Sequence, residues 1–360
     1  MKYLFYLGHP AHFHLFKNII NNLKKNDHQI FIAIQSKDVL EYLISSEEYN
    51  YVNISITKRR KNFLSLIIRT VKKDLKLLKI CRAFKPNLLI SSAPEITHVG
   101  RILGIESLLV FEDDLKSVPL YAFFGAPFAS TLLTPSSCVV ENWSRKHVYY
   151  NGYHELAYLH NAHFKPNDSI YDILNIKRCE RFVIMRFVSW FASHDYGQSG
   201  FCIDLKEKIV QELSKYARVF ISAEDYLPPS LKKFQIEIPP ERMHDALAFA
   251  NLYVGEGATM ASECAMLGTP AVYVNSISAG TLEEQEKYGL IYIFKDSQGV
   301  NEKVTEMIKI INLKEEWQKR RKKMLADKID VTSFMVWFVE NFPESVKIMK
   351  ENPDSQMQFK

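Results

Sequence analysis

Residues 251–275 read NLYVGEGATMASECAMLGTPAVYVN and spell out one complete structural unit. Residues 252–254 form a short apolar strand, and Gly255-Glu256-Gly257 is a turn where backbone can approach a ligand closely. Thr259 caps or opens the helix that follows. Ala261, Cys264, Ala265 and Leu267 give that helix a face of small apolar residues suited to lying on a sheet, Gly268 ends it, and Pro270 keeps it from resuming. Ala271–Val274 is then a second strand. Strand, turn, helix and strand make a βαβ crossover, which requires parallel strands and puts the helix N-terminus at their carboxyl ends. Free N–H groups and the positive end of the helix dipole suit a phosphate there. Glu263 stands one turn after Thr259 on the same face, where its carboxylate would meet the two hydroxyls of a ribose. Diphosphate at the first turn and ribose at the second describe a nucleotide. The plainer reading leaves Glu263 a solvated helix residue and the glycines a mere turn. Glu256 counts against a phosphate unless its charge points away or faces a cation.

The letters GEGATMASECAMLGTP also resemble the nucleotide-sugar-binding segment of GT-B-fold proteins. These are the lipid-linked N-acetylglucosaminyltransferase of peptidoglycan synthesis and the non-hydrolysing UDP-N-acetylglucosamine 2-epimerases, which carry a small-residue turn, Ser/Thr, Glu-Ala and Leu/Ala-Gly-Xaa-Pro. Over about residues 1–330 the chain resembles an uncharacterised bacterial and archaeal family of GT-B-like proteins. GHPAHFHLFKN at 8–18, RFVSWFASHDYGQSG at 186–200 and the stretch above carry that likeness. The resemblance implies an α/β GT-B fold: two Rossmann-like domains with parallel sheets facing a central cleft. It implies an acceptor-side domain over 1–165, a nucleotide-sugar-binding domain over 166–330, a C-terminal helix over 331–352 returning to the first domain, and a tail, 353–360.

With 360 residues and 47% apolar letters, the chain has enough material for two cores. The start, MKYLFYLGHP, has too short an apolar stretch for a signal peptide, and no window approaches the roughly 18 apolar residues of a spanning helix. A soluble, cytoplasmic protein is expected. Its five cysteines are scattered without a CxxC pair, which fits reduced thiols and argues against structural zinc. A net charge of +5 with no aromatic-basic signature excludes nucleic acid as the natural partner.

Read in order, residues 2–7 form a first strand, GHPAHFHLFKN turns into a helix, and residues 31–34 form the second strand. Such a first turn faces the ligand crevice of a doubly wound sheet, and here it holds His9, His12 and His14. Their spacings of three and two do not suit a metal, and none is expected. One of them could serve as general base toward an acceptor hydroxyl, with His14 first in line; each could equally be a capping or packing residue. Residues 58–85 are strongly basic, with Leu64, Ile67, Ile68, Val71, Leu75 and Leu78 at helical spacing. That helix either covers a sheet with its lysines in water or lies on an anionic bilayer, giving peripheral contact at the inner face of the membrane. Strands follow at 87–91 and 107–111, the latter running into Glu112-Asp113-Asp114, which reads as a surface turn. A buried helix is expected over 121–133 and a short strand near 138–140.

The second domain opens with a strand at 182–186 and a long polar-aromatic loop. Arg186 suits bidentate contact with a phosphate, while His194 and Asp195 could meet sugar or acceptor, Asp195 standing as the reserve base. Ser189, Glu224, Ala258 and Met260 complete the nucleotide-sugar candidates with Gly255, Gly257, Thr259 and Glu263. The resemblance implies that backbone near Arg242 and Met243 reads the nucleobase and that Glu283, Glu284 and Gln285 reach the sugar hydroxyls. The expected activity is that of a glycosyltransferase using a nucleotide sugar, uridine-linked, with no cofactor, on a cell-envelope glycan or lipid-linked acceptor. A 2-epimerase or hydrolase is the alternative, although the arginine-rich segment of the 2-epimerases is replaced here by Gly8-His9-Pro10.

Overall fold

In the computed structural model, which describes residues 1–37, 39–55, 63–114, 123–140, 146–188, 203–276 and 279–360 (backbone alone for 63–67), the first element is β1, Lys2–Leu7. Its near-continuous apolar run marks a strand covered on both faces, and residues 3–7 are fully buried. Gln29–Ile34 (β2), Tyr51–Asn53 (β3), Leu88–Ser91 (β4), Glu106–Val110 (β5), Thr131–Pro135 (β6) and His147–Tyr150 (β7) join it. All pairs are parallel, in the order β3-β2-β1-β4-β5-β6-β7. The chain leaves β1 toward β2 and later resumes on its other side at β4, so the carboxyl ends of β1 and β4 mark a switch point where helices diverge and a crevice opens.

The second sheet contains Phe182–Phe187 (β8), Arg218–Ala223 (β9), Leu252–Gly255 (β10), Ala271–Val274 (β11) and Ile291–Phe294 (β12). Its order is β12-β11-β10-β8-β9, again all parallel, with the switch point between β8 and β10. Two compact units result: Met1–Tyr158 with Ile329–Lys360, and Leu159–Lys328. The α/β class and parallel sheets expected from the βαβ stretch are what the chain forms.

Within the first unit the helix Pro10–Lys25 begins with proline at its first position, where no N–H is missed, and buries Phe13, Phe16, Ile19, Ile20 and Leu23. Val331–Glu340 packs against it, started by Asp330, whose carboxylate accepts from the N–H groups of Thr332 and Ser333. The tail over 353–360 is folded onto this unit. Residues 353–359 wind into 3-10 turns, Phe359 packs on Phe334 and Trp337, and Gln356 Oε1 accepts from Asn151 N at 2.6 Å. These ring contacts hold the polar tail in place.

Three further expectations are corrected. Residues 131–135 are a strand, not the end of a helix, because β5 and β7 flank them and their pairing overrides local preference. Residues 138–140 form no strand; the next one is β7. In the helix Phe63–Phe84 the described part of the apolar stripe divides, with Leu78 alone of its members entering the core. Ile68, Val71 and Leu75 are 48%, 50% and 59% exposed, whereas Leu77, Leu78 and Cys81 enter the core.

Candidate functional site

In the second unit the helix Ala258–Leu267 starts at the carboxyl end of β10 and is capped at its other end by Gly268 in the left-handed region, φ 68°. Thr259 therefore lies inside the first turn rather than capping it. Gly257 is the N-cap and has no side chain to cap the first turn, and no acidic residue stands in that turn. Ala258 and Thr259 are exposed and Met260 is half-buried. An anion approaching this end meets free N–H donors and the positive dipole.

The glycines of the turn have a second reason to be there. A Cβ on Gly255 would lie 2.7 Å from the Arg186 carbonyl oxygen, and one on Gly257 would lie 3.2 Å from Arg186 Cγ. Close packing of β8 against the turn thus demands glycine at 255 whether or not a ligand approaches. Glu256, the residue that seemed to oppose a phosphate, is 1% exposed and turned inward. Its Oε2 accepts from Val188 N at 3.2 Å and lies 3.4 Å from Lys206 Nζ, so its charge faces a cation and not the helix end.

Glu263 is buried, with Oε1 2.9 Å from Nε2 of the equally buried His244. It is therefore no solvated helix residue; its carboxylate is held in one orientation, and His244 is a partner that the sequence reading missed. The only hint was a histidine in ERMHDALAFA directly after the segment assigned to the base. Arg186 and Glu224 are brought together at the carboxyl ends of β8 and β9. One guanidinium nitrogen donates to Glu224 Oε1 at 2.6 Å and another to Ser222 Oγ at 2.7 Å, so a phosphate would share Arg186 with that carboxylate.

The remaining candidates diverge. Arg242 donates to Asp245 Oδ2 at 2.6 Å and to Ser169 Oγ at 2.8 Å, and Met243 opens the helix Met243–Phe249. Gln285 is fully buried and donates to Ser262 Oγ at 2.8 Å, so it braces two helices and does not reach outward to a sugar. Glu284 pairs with Lys328 at 2.7 Å, and Glu283 is exposed. Ser189, His194 and Asp195 lie outside the described residues.

In the first unit the three histidines have distinct jobs. His9 is the N-cap of Pro10–Lys25, its Nδ1 accepting from Ala11 N at 3.2 Å. His12 Nδ1 accepts from Gly8 N at 3.2 Å, which leaves the ring proton on Nε2 and makes that edge a donor. Burial first, then His9 and His154, hold the His12 ring down to about 3, so it stays neutral. His14 packs between the rings of Phe13 and Tyr158.

Glu112 is not part of a surface turn. One carboxylate oxygen accepts from His154 N at 3.2 Å, the other lies 3.3 Å from His154 Nδ1, and its own carbonyl accepts from Cys138 Sγ at 2.8 Å. Its side chain also hydrogen-bonds that of Glu155, which is 3% exposed. Burial, and next the negative charge of Glu155, raise the Glu112 carboxyl well above the usual carboxylate range. Burial pulls the His154 ring down to about 3. Asp113 is exposed, and Asp114 Oδ1 accepts from Val139 N at 2.7 Å. The letters Glu-Asp-Asp misled because the three neighbours point to different surroundings.

Two doubly wound parallel units with polar side chains gathered behind their strands define the chain as a GT-B protein. It belongs to the family described as "Protein of unknown function (DUF354)", whose model matches residues 3–344. No curated protein is similar enough in sequence to match it. Among solved structures it is similar to a Listeria monocytogenes protein assigned as a UDP-N-acetylglucosamine 2-epimerase: TM-score 0.72, 11% identity, 95% of this chain and 97% of that one. It is also similar to the UDP-GlcNAc 2-epimerase of Neisseria meningitidis bound to UDP-GlcNAc, with TM-score 0.64 at 14% identity over 94% of this chain and 99% of that one. A glycosyltransferase of Streptomyces sp. SF2575 gives TM-score 0.58 at 12% identity over 95% of this chain and 100% of that one. At these identities the likeness is one of fold.

Proposed function

We propose that the protein is a glycosyltransferase that takes sugar from a uridine-linked nucleotide donor and delivers it to a cell-envelope glycan or lipid-linked acceptor. The uncapped N-terminus of Ala258–Leu267, with the oriented carboxylate of Glu263 in its second turn, carries this reading. Backbone N–H groups there would take the diphosphate without a metal, and Glu263 would take the ribose hydroxyls. The acceptor class is supported by the exposed apolar and basic face of Phe63–Phe84, which suits a lipid surface at the inner side of the cytoplasmic membrane. In the reaction the acceptor oxygen bonds to C1 of the sugar. The C1–O bond to the diphosphate breaks, its electron pair leaves on the nucleotide, and the acceptor proton passes to a base.

The second reading is a nucleotide-sugar 2-epimerase or hydrolase, favoured by the Glu112–Glu155 pair, since removing and returning a ring proton needs groups of that kind. Incubation with UDP-sugars in D2O, with and without lipid-linked and glycan acceptors, separates the two. Free UDP and a new glycoside only when acceptor is present support the transferase. Deuterium in the sugar, or UDP release without acceptor, supports the alternative.

A further inference from the structure

Two carboxyl groups joined by a hydrogen bond hold a proton between them, because two carboxylates at that distance repel. Glu112 and Glu155 form such a pair in the first unit, behind β5 and β7. Beside them stand polar atoms the protein leaves unmet among the described residues. The Tyr150 hydroxyl is 0% exposed and has no hydrogen-bond partner, nor has His154 Nε2. Tyr150 lies in the field of Glu112, Cys138 and Glu155, so its hydroxyl belongs to the same cluster. Buried polar groups ordinarily find partners, and an unmet hydroxyl and ring nitrogen next to a shared proton suit a ligand carrying hydroxyl groups. The titratable groups around the pair are Asp113 and Asp114 on its own turn, Cys138 behind β6, Tyr150 at the end of β7 and His154 just after it. His12, from the first helix, faces His154.

We propose that Glu112 and Glu155, with His154 between their turns, are the proton-transfer centre of the N-terminal unit, and that the hydroxyl of the sugar acceptor gives up its proton there. This rests on the transferase reading and replaces a histidine of the first turn as base. His9 and His12 have their acceptor nitrogens tied to backbone N–H groups, whereas the carboxyl pair carries a carboxylate able to take a proton. As the acceptor oxygen bonds to C1 and the nucleotide leaves with the electron pair, the proton moves to the pair. It returns to solvent before the next turnover.

Two measurements test this, one for the shared proton and one for its use. Infrared difference spectra between H2O and D2O at neutral pH are expected to show a protonated carboxyl band that Glu112→Gln and Glu155→Gln each remove. Absence of that band in the wild type overturns the pair, whatever reaction the protein catalyses. Turnover with UDP-sugar and acceptor is expected to fall about 100-fold in both variants while the dissociation constant for UDP stays unchanged. Full turnover in both, or loss only in His14→Ala, overturns the assignment. Thermal melts of each variant, with Glu155→Gln as the second probe should Glu112→Gln fail to fold, separate lost chemistry from lost structure. If the wild type transfers no sugar to any acceptor while the band is present and responds to both variants, the transferase reading fails and the shared proton stands.

Discussion

Glu263 Oε1 and His244 Nε2 lie 2.9 Å apart in the second unit, both side chains buried, and this pair fixes how the carboxylate meets a ligand. A lone glutamate in a helix would sample several rotamers, and ordering it would subtract from binding. With His244 in place that ordering is complete before a ribose arrives. Glu263→Gln keeps the shape and loses the charge-assisted hydrogen bonds, so UDP affinity is expected to fall by about 1.5–3 kcal/mol. His244→Ala removes one partner that orients the carboxylate and should weaken UDP by a smaller amount. Calorimetric titration of both variants checks this. UDP binding at wild-type strength in Glu263→Gln would show that the nucleotide sits elsewhere.

The Arg186–Glu224 contact yields a prediction of opposite sign for its two members. Arg186 is 21% exposed and Glu224 40% in their side chains, so the pair contributes little to stability, on the order of 1 kcal/mol or less. Its importance would lie in competition: Glu224 holds the guanidinium that a diphosphate also wants. Arg186→Ala should weaken UDP by about 1.5–3 kcal/mol, and Glu224→Gln should leave it equal or tighter. Both titrations should be insensitive to chelator, because helix donors and arginine supply the positive charge. Binding that vanishes on chelation would point to a metal-held diphosphate.

What was legible in the sequence follows from how local each signal is. The crossover at 251–275 was readable because strand, glycine turn, helix and stop signals all fall within one continuous stretch, and its bounds match Leu252–Gly255, Ala258–Leu267 and Ala271–Val274. The C-terminal helix expected over 331–352 is two, Val331–Glu340 and Glu344–Glu351, and the cap of the first, Asp330, went unread. The Glu112–Glu155 pair was not, because its members stand 43 positions apart and meet only through the adjacency of β5, β6 and β7. For Glu256 the sequence left the condition open, that its charge point away or face a cation, because the cation that meets it, Lys206, comes from a distant helix. The same limit hid which side of Phe63–Phe84 faces the sheet: apolar letters occur on both sides, and only packing decides between Leu75 and Leu78.

Stability should depend on pH through the buried histidines. His12 and His154 are held down to about 3, against an ordinary 6.5, by burial. Between those values the unfolded chain binds protons that the native state refuses, so stability rises with pH across the window and is lost as pH falls below 6.5. The slope is about 1.4 kcal/mol per pH unit for each histidine once developed. Glu112 acts in the opposite sense, because the native state keeps a proton that the unfolded carboxylate has released. With His147, which burial lowers to about 4, these histidines outweigh one carboxyl, so the urea midpoint should drop between pH 7 and pH 5. His12→Gln should flatten that drop and Glu112→Gln should steepen it. A midpoint independent of pH in this range would mean that the rings are charged or exposed.

The outward face of Phe63–Phe84 leads to the last prediction. Ile68, Val71 and Leu75 follow one another at spacings of three and four, so they form a single stripe, and all three are exposed. Lys72, Lys79 and Arg82 are exposed on the same helix, whereas Lys76 is engaged by the carbonyls of Ile54 and Ser55. Among the described residues no helix is long and apolar enough to cross a membrane. Each cation near an anionic surface contributes about 1 kcal/mol, and the three together give only weak attraction, which the apolar stripe must supplement. Association with acidic vesicles should therefore be reversible and should weaken as salt shortens the Debye length to about 3 Å at 1 M. Co-sedimentation at low and high salt reads the electrostatic part. Val71→Asp with Leu75→Asp reads the apolar part, because both positions are exposed and the fold should tolerate the change. Loss of binding in the double variant at low salt, with the neutral-lipid control negative throughout, is the expected result. Wild-type protein that stays in the supernatant over acidic vesicles at low salt would remove the membrane from the account and leave the stripe without this role.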